Sequence, residues 1–99
     1  MSDLARDVRL AVDTGKVALG SREVDRAVLR NTAKVVIAAE RARKDKLDDI
    51  IHMCAVANIR LLKFDATSNG LGTVCGKPYP VVAVAIIEPG NSNIINEKY

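Results

Sequence analysis

The residues of this 99-residue chain best placed to do chemistry are cations set beside helix starts and turns. Arg22, Arg26 and Arg30 recur every four residues behind Gly20-Ser21, a spacing that lines them along one edge of a helix. A glycine that lets backbone come close, a helix N-terminus with its free N–H groups, and guanidiniums one turn apart together describe a place for an anion. A second group, Arg41, Arg43, Lys44 and Lys46, follows directly on an apolar run. A third stretch, Gly76-Lys77-Pro78-Tyr79-Pro80, holds a cation and an aromatic ring in a loop stiffened by two prolines. If these loops meet, amides and cations suit phosphates, arginine suits guanine edges, and Tyr79 suits stacking on an unpaired base. That combination fits folded RNA. Each piece also has a plainer reading: a solvated helix face, a solubilising loop, a packing tyrosine.

Other chemistries find less support. His52 is the single histidine and follows Asp48 and Asp49 on the outer side of a helix, where a surface charge pairing accounts for it. No nucleophile–base pattern accompanies it, so no catalytic triad assembles. Asp48 and Asp49 are adjacent in a helix and do not face each other. Gly70-x-Gly72-x-x-x-Gly76 lacks the spacing and the strand–loop–helix order of a phosphate-cradling P-loop. Cys54 and Cys75 stand 21 positions apart with no CxxC, and read as reduced core thiols rather than metal ligands. No catalytic residue, metal or cofactor is expected.

The elements that must position these residues follow from periodicity. Leu4, Val8, Ala11 and Val12 predict a first helix over 2–13 with Ser2 as N-cap and Gly15 as the stop. Lys16–Leu19 is too short for a helix and reads as a brief strand. Ser21 is expected to cap a second helix with Val24, Ala27 and Val28 inward, ending at Asn31-Thr32. Val35–Ala39 is apolar throughout, as in strands covered on both faces. Asp45 is expected to cap a third helix reaching Ala57, with Leu47, Ile50, Ile51, Cys54 and Ala57 as its core stripe. A strand over 59–64 follows, then a short helix over 68–75 capped by Thr67 or Ser68. Val81–Ile87 is the strongest strand signal and should be central. Glu88-Pro89-Gly90-Asn91 is a turn, and the last residues of the tail 92–99 should fray. Helices alternate with buried strands. The expected fold is therefore an α/β three-layer α/β/α sandwich with a small mixed, mainly four-stranded sheet, forming a single domain over 1–99.

Composition agrees. Hydrophobic residues make up 48% and charged residues 27%, a globular balance. Aromatics are only 3%, so the core must be aliphatic. The net charge of +3 is mildly basic and favours an anionic partner only weakly. No apolar run approaches the ~20 residues of a membrane helix, and Asp3, Arg6, Asp7 and Arg9 interrupt any secretory leader. A cytoplasmic protein with no membrane partner is expected.

Three segments also carry a resemblance: AVDTGKVALGSREV, AKVVIAAERAR, and the long run LLKFDATSNGLGTVCGKPYPVVAVAIIEPGNSNI. With their TGK-x-x-x-G, LGT-x-x-GK and E-P-G-x-S-x-I motifs, they resemble the L-thirty-e family of large-subunit ribosomal proteins. That family lies within the wider kink-turn-binding superfamily that includes the L-seven-Ae proteins. The resemblance covers nearly the whole chain and implies a three-layer sandwich that binds a kink-turn-like internal loop of ribosomal RNA. Neighbouring ribosomal proteins would be its other partners in a cytoplasmic ribosome, and the free protein would be a monomer. Carried over position by position, the RNA surface would comprise Leu19, Gly20, Ser21, Arg22, Lys46, Tyr79 and Val81, together with Arg41. The family commonly has Asn at the position matching Arg41, where it reads a guanine edge. Arginine also addresses guanine O6 and N7. Gly70 stands where the family pattern has Glu, which touches the short helix more than the RNA surface. Two alternatives stay open: a kink-turn subunit of an RNA-modification particle, and a small phosphometabolite-binding domain using the Gly20-Ser21 helix start.

Overall fold

A computed structural model describes residues 3–96. Four helices and four strands alternate as α1 (Asp3–Thr14), β1 (Lys16–Leu19), α2 (Ser21–Leu29), β2 (Val35–Ala39), α3 (Lys44–Ala57), β3 (Arg60–Phe64), α4 (Ser68–Val74) and β4 (Ala83–Glu88). The sheet order is β1-β4-β2-β3. β4 runs antiparallel to both its neighbours, and β2 runs parallel to β3. The fold is the expected mixed α/β/α sandwich, with β4 inside the sheet as its apolar run requires.

Side-chain alternation along the two inner strands explains the three layers. Val35, Ile37, Ala39, Val84 and Ile86 face one layer, where they meet Val8 and Ala11 of α1, Leu71 and Cys75 of the α4 region, and Ile94. Val36, Ala38, Ala83 and Ala85 face the other and meet Val24, Ala27 and Val28 of α2 and Ile50 and Cys54 of α3. Every residue of β2 is buried, so a strand apolar on both faces has both faces covered. No helix among the described residues is long and apolar enough to cross a membrane.

Several boundaries differ from the sequence reading, each for a local reason. The Ser2 cap lies outside the described residues. Gly20, not Ser21, is the N-cap of α2 and makes no side-chain cap bond. Asp45 does not cap α3. Arg43 holds that place without a side-chain cap bond, and Asp45 sits in the first turn, paired with Arg43 at 3.0 Å. Thr67 does cap α4, its Oγ1 accepting from the Gly70 N–H at 3.1 Å. That cap and burial of Leu71 support a helix that Gly70 and Gly72 disfavour on propensity. Ile59 closes α3 rather than opening β3, its N–H donating to the Cys54 carbonyl behind a left-handed Asn58. β4 begins at Ala83 because the Val81 N–H is taken by the Ser68 carbonyl and not by the sheet. The tail is anchored as far as 96. Ser92 Oγ donates to the Asp7 carbonyl at 2.7 Å, and Ile94 is fully buried. The fraying expected of the last residues lies outside the described range.

Cys54 and Cys75 are free and buried in cores on opposite sides of the sheet. Burial pushes both thiols up. It takes Cys75 to about 11, even though the nearby Lys77 and Arg9 cations pull the other way. At pH 8 roughly one Cys75 in a thousand is then a thiolate. Iodoacetamide at pH 8 should therefore leave the native protein unlabelled and modify both thiols once it is unfolded, as read by mass spectrometry. For Cys75 the reactivity should rise only toward pH 11.

Candidate nucleic-acid interface

The register of the sheet brings four connections to one end. β1, β2 and β3 all finish there, and antiparallel β4 starts there. A chain of backbone hydrogen bonds ties the connections together. Gly20 N–H donates to the Ala83 carbonyl at 3.0 Å and Ala39 N–H to the Val82 carbonyl at 2.9 Å. Glu40 N–H reaches the Phe64 carbonyl at 2.8 Å, Arg41 N–H the Ala66 carbonyl at 3.0 Å, and Val81 N–H the Ser68 carbonyl at 2.9 Å. The Gly20, Glu40 and Tyr79 regions therefore share one rigid rim. With neighbouring strands ~4.8 Å apart, the ends of β1 and β2 lie roughly 10 Å from each other.

At one side of the rim the chain leaves β1 and enters α2. Gly20 has φ +90° and ψ 160°, a conformation open to glycine and strained for any other residue. It also faces open space, since a Cβ built there would meet no atom within 4 Å. The first helical bond is from Val24 N–H to the Gly20 carbonyl, so the N–H groups of Ser21, Arg22 and Glu23 have no partner in the helix. Arg22 is exposed and has no side-chain partner among the described residues. The helix start read from the sequence is present, with the cap assigned to Gly20. Leu19 and Ser21 are half-buried beside it.

The second wall is the connection from β2 to α3. Its four cations are not equivalent. Arg43 is held by Asp45. Arg41 is held by Asp65, with Nε 3.2 Å from Oδ1 and Nη2 donating to the Asp65 carbonyl at 3.3 Å. Lys44 and Lys46 are exposed and have no such partner among the described residues. The first α3 bond runs from Leu47 N–H to the Arg43 carbonyl, so a second helix N-terminus opens here without a side-chain cap. The Arg41–Asp65 pair is exposed and worth little to stability. Its consequence is orientation: two of the five guanidinium N–H donors are occupied, which fixes the direction of the remaining three, two on Nη1 and one on Nη2.

The third wall is the loop before β4. Tyr79 is 51% exposed, which leaves its ring available for stacking. A small recess of about 190 Å³ lies beside it, lined by Asn69, Thr73, Lys77 and Pro78. The loop is set by Gly72, where any Cβ would run into the Tyr79 carbonyl oxygen. Val81 takes another part than a contact residue. Its side chain is fully buried in the α1/α4 core, so it anchors the loop and offers nothing to a ligand. Asp65, as the partner of Arg41, was not foreseen, because 24 residues separate the two in the chain.

No group of three or more His, Cys, Asp or Glu able to hold a metal occurs among the described residues. His52 lies exposed on α3, on its outer side.

Comparison with known proteins adds the family. The model of the ribosomal protein L7Ae/L30e/S12e/Gadd45 family matches residues 2–96. Curated relatives named large ribosomal subunit protein eL30 cover the chain almost end to end. The one from Methanococcus maripaludis strain S2 is 39% identical over 94 residues, covering 95% of this chain and 94% of its own. That of Methanocaldococcus jannaschii is 40% identical over 93 residues, 94% of this chain and 84% of its own. That of Pyrobaculum islandicum is 35% identical over 95 residues, covering 96% and 94%.

Proposed function

The chain belongs to the ribosomal protein L7Ae/L30e/S12e/Gadd45 family, as an L30e-type large-subunit protein with no enzymatic role, and we propose that it grips a kink-turn-like internal loop of ribosomal RNA through the rim at the ends of β1, β2 and β3. The observation that carries this reading is the pairing of two helix N-termini without side-chain caps on one hydrogen-bonded rim, with Arg22, Lys44 and Lys46 beside them. Free amides and unpaired cations suit phosphates that a sharp bend in RNA crowds together. Gly20 admits the sugar-phosphate backbone without a side chain in the way. Arg22 and Arg41 supply donors for guanine edges, and Tyr79 supplies a stacking face. The protein acts as a monomer until it docks on RNA and its ribosomal neighbours.

A labelled internal-loop RNA should bind far more tightly than an uninterrupted duplex of equal length, with affinity falling steeply as salt rises. Sequencing of RNA that co-purifies with the tagged protein should return large-subunit ribosomal RNA. Equal affinity for loop and duplex would overturn the rim assignment. Enrichment of small guide RNAs would move the protein to a modification particle.

A further inference from the structure

We infer that Asp65 is a specificity-determining residue of this interface: it orients the Arg41 guanidinium and offsets its charge, so that Arg41 reads an edge with two adjacent acceptors, as guanine presents, instead of clamping a phosphate. This rests on the RNA reading above and names what one part of the rim selects and which residue makes it selective.

Arg41 differs from other cations of the rim. Arg22, Lys44 and Lys46 have no side-chain partner among the described residues, so they can turn to whichever phosphate lies nearest. Arg41 is held along one edge of its guanidinium by a single residue. Nε lies 3.2 Å from Asp65 Oδ1, and Nη2 donates to the Asp65 carbonyl at 3.3 Å. The other edge, formed by Nη1 and the second N–H of Nη2, is turned away from Asp65 and makes a fork of parallel donors.

Backbone bonds fix both ends of this grip. Arg41 N–H donates to the Ala66 carbonyl at 3.0 Å, and Glu40 N–H to the Phe64 carbonyl at 2.8 Å. Ala66 N–H also donates to the Phe64 carbonyl, at 2.8 Å, which closes a three-residue turn with Asp65 at its centre. Ala66 itself is buried. Asp65 therefore presents its carbonyl and its carboxylate from a set position at the end of β3. The exposed ion pair adds little stability. Its effect is to pre-orient a long side chain that would otherwise have to be ordered on binding.

Charge decides what the fork suits. A free guanidinium is drawn to phosphates. Beside Asp65 the pair is neutral as a unit, and a phosphate brought to Arg41 would also approach the carboxylate. A neutral pair of acceptors escapes that repulsion. Guanine O6 and N7 form such a pair, and no other base offers two acceptors on that edge.

The test uses an internal-loop RNA in which each loop guanosine is replaced in turn by 7-deazaguanosine, which lacks N7. At one position the replacement should weaken wild-type binding at least about fivefold, the low end of what a bidentate arginine–guanine contact discriminates. Arg41→Lys, which keeps the charge and loses the fork, should abolish that penalty. Asp65→Ala should reduce it to about twofold or less, while its log–log salt slope steepens by roughly 1 as the freed guanidinium takes a phosphate. Both variants should melt with the wild type, because both side chains are exposed. A merely structural ion pair would move neither the penalty nor the slope. If Asp65→Ala keeps either the wild-type penalty or the wild-type slope, or if Arg41→Lys keeps the penalty, the inference is overturned. It is overturned too if no replacement affects wild type, and a preference for loop over duplex then leaves the rim reading standing. Equal wild-type affinity for loop and duplex overturns both.

Discussion

The Gly20→Glu/Arg22→Ala double variant should lose at least a hundredfold in affinity for an internal-loop RNA while keeping its fold. Arg22 is exposed and has no side-chain partner among the described residues, so its truncation costs little stability. If its guanidinium meets a base edge, the loss is about 1–3 kcal/mol of binding. Glutamate at position 20 acts differently. Nothing lies within 4 Å of a Cβ there, so the side chain finds room, and it carries a carboxylate to the free amides of Ser21, Arg22 and Glu23. The helix N-terminus welcomes that anion as it would a phosphate. The protein would then occupy its own site and repel RNA. The +90° φ makes any non-glycine residue strained by about 1–3 kcal/mol, so binding should be measured well below the melting transition. Arg22→Ala alone, free of that strain, should show a clear part of the effect. Affinity of the double variant within threefold of wild type would remove this rim from the RNA surface.

Gly72→Ala should be strongly damaging for a single added methyl. Gly72 is buried, and an added Cβ would collide with the Tyr79 carbonyl oxygen and lie 3.2 Å from its carbon. Those are backbone atoms and cannot rotate away. The backbone there is also tethered, by Lys77 N–H to the Gly72 carbonyl and by Val81 N–H to the Ser68 carbonyl, both at 2.9 Å. Relief requires α4 to slide from the core or the Lys77–Val81 segment to swing outward. Overpacking of this kind costs about 1–3 kcal/mol. For a domain of this size that is a fall of roughly 5–20 °C in melting temperature. The swing also moves Tyr79, so RNA affinity should fall with stability, unlike the Arg22→Ala case. Thermal unfolding reads the first effect and RNA titration at low temperature the second. A melting temperature within 2 °C of wild type would mean that the close approach of α4 and this loop is not a constraint.

Most of the architecture was legible because it rests on short-range physics. Apolar periods of 3.6 and 2, and punctuation by Gly, Pro, Asn and Thr, act within a few residues. Hence α1, β1, β2, α3 and the Thr67 cap were placed closely, and β4 was seen to be interior from its seven-residue apolar run. The family resemblance added a kink-turn expectation to three loops already picked out by their cations and aromatic ring. Errors arose where two residues were locally equivalent. Gly20 and Ser21 are both good caps, and the choice falls to Gly20 because its N–H completes the sheet against Ala83. Val81 reads as the end of an exposed loop or the start of a strand, and burial against Val8 and Leu71 in one core decides its direction.

What the residues established unaided, then, was the order of helices and strands, the aliphatic core and three cationic or aromatic loops, since each depends on neighbours in the chain. What needed the folded molecule was how those loops combine. Sheet order, the rim bonds and the docking of Ser92 on Asp7 join positions far apart in sequence. So does the pairing that turned Arg41 from one more cation in a basic run into a guanidinium oriented by Asp65. No local pattern encodes such a pair. It exists because β2 and β3 run parallel and end side by side, which is a property of the sheet and not of either segment.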